Sequence, residues 1–208
     1  MSETQAHHFY EPAHGHGLKH DPLNAIVAPR PIGWISSVSA AGVANLAPYS
    51  FFMLFNYAPP IIGFASIGWK DSAANVTATG SFVWNLVTRP LAEAMNASSA
   101  MVAGEVDEFA LAGLSKAPSR LVQAARVAES PVNFECRHTQ TIRLTDAQGR
   151  ETASSLVLGE VVGIHIAPRL VEGGIYDTAA ADPVLRGGGW GDYFTLSPEG
   201  LFRMKRPG

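Results

Sequence analysis

After Pro131, the apolar residues Val132, Phe134 and Cys136 alternate with the polar Asn133, Glu135 and Arg137. Over a second, longer stretch, Leu156, Leu158, Val162, Ile164 and Ile166 share one parity. A period of two places successive side chains on opposite faces of an extended chain, so both stretches read as half-buried strands. Thr139 to Leu144 continues the first, and Asp146-Ala147-Gln148-Gly149 is a turn. The same composition marks Pro31 to Ser39, where Ile32, Trp34 and Val38 fall on one face and Ile35 on the other. Ala41-Gly42 suits a hairpin turn, and Val43 to Ser50 the returning strand. Ile61 to Ile67, a branched run after Pro59-Pro60, adds a buried strand, and Ser81 to Val87 another. Strands and helices do not alternate along the chain. The expected fold is therefore mainly β, a β-barrel with inserted helices, rather than a doubly wound sheet.

The inserted helices are short and cluster between residues 70 and 128. Asp71 or Ser72 can cap one through Ala73, Ala74, Asn75 and Val76, and Gly80 can end it. Pro90 opens Leu91 to Ala97, since proline is tolerated in a first turn. Asp107 can cap Glu108 to Leu114, and Ser119 to Ala128 also reads as helical. Residues 1 to 22 hold His7, His8, His14, His16 and His20 without any periodicity. They read as a flexible His-rich arm ahead of a single domain over 23–208. His14 with His16, or His7 with His8, could hold zinc or nickel, but no cysteine or carboxylate cluster accompanies them, so no metal site is expected.

Composition narrows the function classes. A formal net charge of −3 argues against nucleic acid as a partner, because phosphate backbones select clustered Lys and Arg. Charged residues make up only 16% of the chain, which implies a large apolar surface covered elsewhere, as in a homodimer interface. Cys136 is the only cysteine, which fits a reducing cytoplasm. The N-terminus has neither the basic nor the apolar region of a signal peptide. Asn45 to Ile67 is strongly apolar, yet Pro48, Asn56, Pro59 and Pro60 interrupt the ~20 residues that a membrane helix needs, so no span is expected.

Two segments carry polar chemistry suited to an anion and a flat heteroaromatic ring. Lys70 lies just before a helix start, where free amides and the positive end of the dipole favour a phosphate, and Ser72 adds a hydroxyl. Asp71, as a cap, would direct its carboxylate to helix amides. In the second segment, Pro48 fixes its own φ and holds Ala47 extended, so Asn45 and Ser50 are presented rigidly. Ser36 and Ser37 lie on the neighbouring strand. Each segment alone reads better as an ordinary helix cap or a polar strand face. Gly187-Gly188-Gly189 is followed by a strand-like Tyr193-Phe194-Thr195-Leu196, not by the helix that a dinucleotide fingerprint requires, and reads as a flexible closing loop. Trp190 or Tyr193 there could cover an aromatic ring. Cys136, His138 and His165 read as structural.

Taken together, Arg30-Pro31-Ile32, Ser36-Ser37, Asn45-Leu46-Ala47-Pro48-Tyr49-Ser50 and Lys70-Asp71-Ser72-Ala73-Ala74-Asn75 resemble the flavin-reductase-like family. So do Phe82-Val83-Trp84-Asn85-Leu86, Ser130-Pro131-Val132-Asn133-Phe134-Glu135-Cys136, Leu158-Gly159-Glu160-Val161-Val162 and the closing Arg186-Gly187-Gly188-Gly189 with Tyr193. The resemblance spans Asn24 to Leu196. It implies an FMN-binding split barrel, a homodimer with FMN near the interface, and flavin contacts at Ser36, Ser37, Asn45, Leu46, Ala47, Ser50, Lys70, Ser72 and Asn75. The family often has a Thr pair where this chain has Ser36-Ser37, which keeps the hydroxyls. Its acidic or Asn-containing turn is replaced here by Ala40-Ala41-Gly42, which affects the hairpin and not the cofactor.

The function expected from this resemblance is an NAD(P)H-dependent flavin reductase, passing electrons from NADH or NADPH through FMN to an acceptor, for example a monooxygenase. No catalytic side chain stands out, because the chemistry would occur on the flavin. Two other readings remain open: a flavin-holding electron carrier without NAD(P)H activity, and a barrel used only for assembly.

Overall fold

The computed structural model describes residues 7–207. A one-turn helix, α1 (Leu23–Ile26), leads into β1 (Arg30–Pro31) and β2 (Gly33–Val38). Next come β3 (Ala44–Tyr49), β4 (Phe52–Tyr57), β5 (Pro60–Ile67), helix α2 (Asp71–Thr79) and β6 (Ser81–Asn85). Helices α3 (Ala92–Ala97) and α4 (Glu108–Leu111) follow, then the two-residue strands β7 (Lys116–Ala117) and β8 (Arg126–Val127), which pair with each other. The long strands β9 (Val132–Thr145) and β10 (Glu151–Ile166) form a hairpin. The chain closes with β11 (Val171–Glu172), β12 (Ile175–Tyr176), β13 (Val184–Arg186) and β14 (Tyr193–Thr195).

Seven strands form one antiparallel sheet in the order β3-β2-β6-β9-β10-β5-β4. β3 and β5 lie near opposite ends of that order, yet the rings of Tyr49 and Phe64 are 4.6 Å apart. Phe52 of β4 stacks on Trp84 of β6 at 5.5 Å, and the Ala65 amide donates to the Phe51 carbonyl at 2.8 Å. Such contacts require the sheet to roll up on itself. The interior is filled by Ile35, Phe64, Phe82, Cys136 and Val157 from the strands and by Ala73 and Val76 from α2. A second apolar cluster, with Ile32, Trp34, Leu46, Met95, Phe109 and Val127, packs α3 and α4 on the outside of β2 and β3. Among the described residues, no helix is long and apolar enough to cross a membrane.

Several expectations need correction. β4 was not anticipated, because its sequence Phe-Met-Leu-Phe-Asn-Tyr shows no alternation; after Phe52 the strand is exposed throughout. α2 begins where expected and ends at Gly80, whose φ of +74° suits the left-handed C-cap. Its N-cap, however, is Lys70 rather than Asp71 or Ser72, with no side-chain capping bond. Asp107 does cap α4 by accepting from the Phe109 amide, but that helix stops at Leu111. The helix expected over Ser119 to Ala128 is absent, because tertiary acceptors capture its amides. Arg120 and Leu121 donate to the Glu135 carboxylate at 2.8 and 2.6 Å, and Val127 donates to Asn85 Oδ1 at 2.9 Å. The triple glycine is a packed turn rather than an open loop: a Cβ on Gly188 would fall 2.4 Å from Ala25. In the histidine-rich segment, His8 Nε2 pairs with the His16 carbonyl at 2.8 Å, and residues 1–6 lie outside the described residues.

Glu135 therefore shapes the segment from 119 to 121. Burial raises its pKa, but hydrogen bonds from Arg120, His165 and Leu121 outweigh that and hold it below the usual carboxylate range. A depressed carboxyl pKa contributes stability above the unfolded value, and that stability is lost as pH falls through the folded value. Glu135→Ala should cost about 1–3 kcal/mol in urea unfolding at pH 7, by removing the shared acceptor of the Arg120 and Leu121 amides and His165. The difference from the parent protein should shrink at acidic pH.

Candidate functional site

A cleft of about 590 Å³ opens where β3 runs into β4, beside the start of α2, the segment 98–102 and the turn Gly187–Gly189. Its polar wall is fixed by a buried network. Asn45 Nδ2 on β3 donates to Ser72 Oγ on α2 at 2.9 Å and to Ser37 Oγ on β2 at 3.3 Å. Asn75, one turn further along α2, donates to the same Ser37 hydroxyl at 3.3 Å. Three elements are thereby pinned by side chains that exclude water.

The nine residues expected at the site divide into three groups: five that line the cleft, two that stand behind it and two that turn elsewhere. Asn45, Ala47, Ser50, Lys70 and Ser72 line the cleft. Ser37 and Asn75 stand behind it and hold its wall. Ser36 points to other partners: its hydroxyl donates to the Ala125 carbonyl at 2.5 Å and accepts from Asn85 Nδ2 at 3.3 Å. Leu46 buries its side chain in the outer cluster, while its amide donates to Glu108 Oε2 at 3.0 Å.

Lys70 adopts an extended conformation at the head of α2, a nine-residue helix whose first-turn amides have no intrahelical acceptors. Asp71 also lines the cleft, but its carboxylate lies toward Gly104, 3.5 Å from where a Cβ there would stand. The site includes residues that sequence reasoning did not assign to it: Arg30, Glu108 and Arg186. Arg30 and Arg186 are register partners on β1 and β13. Arg30 donates to the carbonyls of Asn24, Val27, Ser50 and Gly187 and thus braces the cleft floor. Burial first, and then Arg186, lower its pKa. Arg186 donates to the Asp192 carbonyl at 2.9 Å and lies over the Tyr193 ring at 4.9 Å. Tyr193 is thus engaged by Arg186, while Trp190 is 93% exposed. The one signal available for Arg30 is its place in the Arg-Pro-Ile motif; the pairing with Arg186 spans most of the chain.

In electrostatic terms, Lys70, Arg30 and Arg186 share the cleft lining with Asp71 and Glu108. Burial raises the Glu108 pKa, only partly opposed by the Leu46 amide. The volume lies within the range of small-molecule sites. A lysine, two hydroxyls and a helix N-terminus in one lining, with an extended polar strand beside them, suit a phosphorylated planar ligand.

A family model described as "Flavin reductase like domain" matches residues 27–182. A Deinococcus radiodurans protein is 38% identical over 205 residues, covering 93% of this chain and 86% of its own. Nitrilotriacetate monooxygenase component B from Bacillus cereus superposes with a TM-score of 0.78 at 28% identity, over 88% of this chain and 91% of that one. A Shewanella frigidimarina structure with a split barrel domain gives 0.79 at 22% identity, over 89% and 90% of the two chains, a likeness of fold. The chain belongs to the flavin reductase-like family of flavoprotein oxidoreductases, and its fold is the mainly-β split barrel.

Glu108 gives a test of the site's electrostatics. Its folded-state pKa is raised, so stability falls as pH rises from the ordinary carboxylate value to the raised one. Glu108→Gln retains an acceptor for the Leu46 amide and removes that ionisation. Denaturant unfolding from pH 4 to 7 should therefore show a flatter pH profile for the variant across that window.

Proposed function

We propose that the protein is an FMN-dependent oxidoreductase that takes hydride from NADH or NADPH and passes electrons to an acceptor. The observation that carries this reading is that Lys70, Ser50, Ser72 and the head of α2 all line one cleft edged by β3. Lys70, Ser72 and Ser50 would hold the FMN phosphate. Asn45 and the backbone of Ala47 would meet the polar edge of the ring, with Ser37 and Asn75 supporting Asn45 from behind. Bound FMN would supply the redox chemistry, and the protein its position and polarity. Water is kept from the back wall by the buried Ser37–Asn45–Ser72–Asn75 contacts.

The functional unit in this reading is a homodimer with the cleft near its interface. Support comes from β4, an edge strand that exposes Met53, Leu54, Phe55 and Tyr57. Such an edge invites a partner. The acceptor fits a monooxygenase, by analogy with the Bacillus cereus component B. Residues 1–22 are read as an arm outside one domain over 23–208, and the buried thiol of Cys136 suits a reducing cytoplasm.

Calorimetric titration should give tighter binding of FMN than of riboflavin or FAD. Lys70→Ala should weaken FMN binding about ten- to a hundredfold, for loss of a charge-assisted contact worth roughly 1.5–3 kcal/mol, with little change in melting temperature. Steady-state oxidation of NADH and NADPH by the FMN-loaded protein tests the enzymatic step. Full flavin occupancy without turnover would leave an electron carrier, and equal affinity for riboflavin would move the phosphate site away from Lys70.

Light scattering should report a dimer for the parent protein. Leu54→Asp, which places a charge on the exposed strand, should shift it to monomer and lower its melting temperature at micromolar concentration.

A further inference from the structure

A second cleft, of about 830 Å³, lies where β9 begins and β10 ends, against the segment 120–129. It shares no lining residue with the first cleft. Arg120, Arg126 and Arg169 all line it. Arg126 is occupied structurally: Nη1 donates to Asn133 Oδ1 at 3.0 Å and Nε to the Pro118 carbonyl at 3.2 Å. The guanidinium groups of Arg120 and Arg169 have no hydrogen-bond or ion-pair partner among the described residues; Arg120 is held only through its backbone amide.

Two carboxylates stand in the same wall, and both are already satisfied. Glu135 is fully buried and accepts from the Arg120 and Leu121 amides and from His165 Nε2, the last at 2.6 Å. Glu129 Oε1 accepts from the Ser115 amide at 2.9 Å. No ion pair joins either carboxylate to Arg120 or Arg169, and the three arginines of the lining outnumber its two carboxylates. Beside them, Leu121, Ile164 and Ile166 are 51%, 54% and 41% exposed. Leu121 lies over β10, since a Cβ on Gly163 would come within 3.3 Å of its Cδ1.

We propose that this second cleft binds a small organic carboxylate with an apolar body. Arg120 and Arg169 take the carboxylate, and Leu121, Ile164 and Ile166 take the body. The planar fork of a guanidinium matches a carboxylate in two parallel hydrogen bonds. The apolar wall favours a ligand with a hydrocarbon part over a bare phosphate, which would leave that surface in water. The inference does not depend on the identity of the ligand in the first cleft.

Calorimetric titration of the FMN-saturated protein with hexanoate, benzoate and inorganic phosphate tests it, the flavin keeping phosphate out of the first cleft. The expected result is saturable binding of hexanoate or benzoate, with phosphate at least about tenfold weaker. The double variant Arg120→Ala, Arg169→Ala should lose about tenfold or more in carboxylate affinity at unchanged melting temperature and FMN affinity. Ile164→Gln, which keeps both arginines, should weaken it as well. Lys70→Ala should leave carboxylate binding intact, and the same titration in that background without FMN gives the answer should FMN fail to bind. Absence of saturable carboxylate binding, unchanged affinity in the double arginine variant, or equal affinity for phosphate would overturn the proposal.

Discussion

β2 is buried on both faces, and much of the molecule is arranged around that fact. Ile35 points into the rolled sheet, while Trp34, with Ile32 just before the strand, points into the outer cluster beneath α3 and α4. A strand so enclosed leaves no water for its polar side chains, and Ser36 and Ser37 are exposed by 0% and 1%. An unpaired buried hydroxyl costs about 1–3 kcal/mol, so each must find protein partners. Ser36 finds Ala125 and Asn85; Ser37 finds Asn45 and Asn75. The first set fastens the segment before β8, and the second fastens α2 and with it the head of the first cleft. The polar residues of one strand thus position two separate parts of the structure.

The same logic runs through Asn85 and Asn133. Asn133 Nδ2 donates to Asn85 Oδ1 at 2.9 Å, and Asn85 in turn serves the Val127 amide and the Trp34 carbonyl. With Glu135 these side chains replace the helix that local composition favours over Ser119 to Ala128. Helix propensity is worth tenths of a kcal/mol per residue, whereas a carboxylate receiving two amides and an imidazole is worth more, so the tertiary partners win. The result is an irregular segment held in one conformation, which gives the second cleft its wall.

Electrostatics differ between the two clefts in a way that follows from burial. In the first, Arg30 is occupied by four carbonyls and braces the floor, leaving Lys70 and the α2 amides as the open cationic elements. In the second, the carboxylates are the occupied groups and two arginines are open. β4 presents a third kind of surface, apolar on both faces and unpaired along one edge. Met53, Leu54, Phe55 and Tyr57 expose apolar surface along that strand.

By itself, the sequence determined the strand-rich class, the order of most strands, the position of α2 with Gly80 as its end, and the family. These depend on period, turn chemistry and short motifs, all of which are local and survive without knowledge of distant partners. The family resemblance grouped Asn45, Ala47, Ser50, Lys70 and Ser72 as contacts of one ligand, and in the structure these five line one cleft. Only the tertiary structure decided that Ser36 and Leu46 turn away from that cleft, that Arg30 meets Arg186 across most of the chain, and that Glu108 is buried beside β3. It likewise turned residues 119–128 from helix into an irregular wall and Phe52–Tyr57 into an edge strand. Each of those outcomes depends on which distant acceptor or apolar face a residue meets, and that is set by how the sheet rolls rather than by neighbours along the chain.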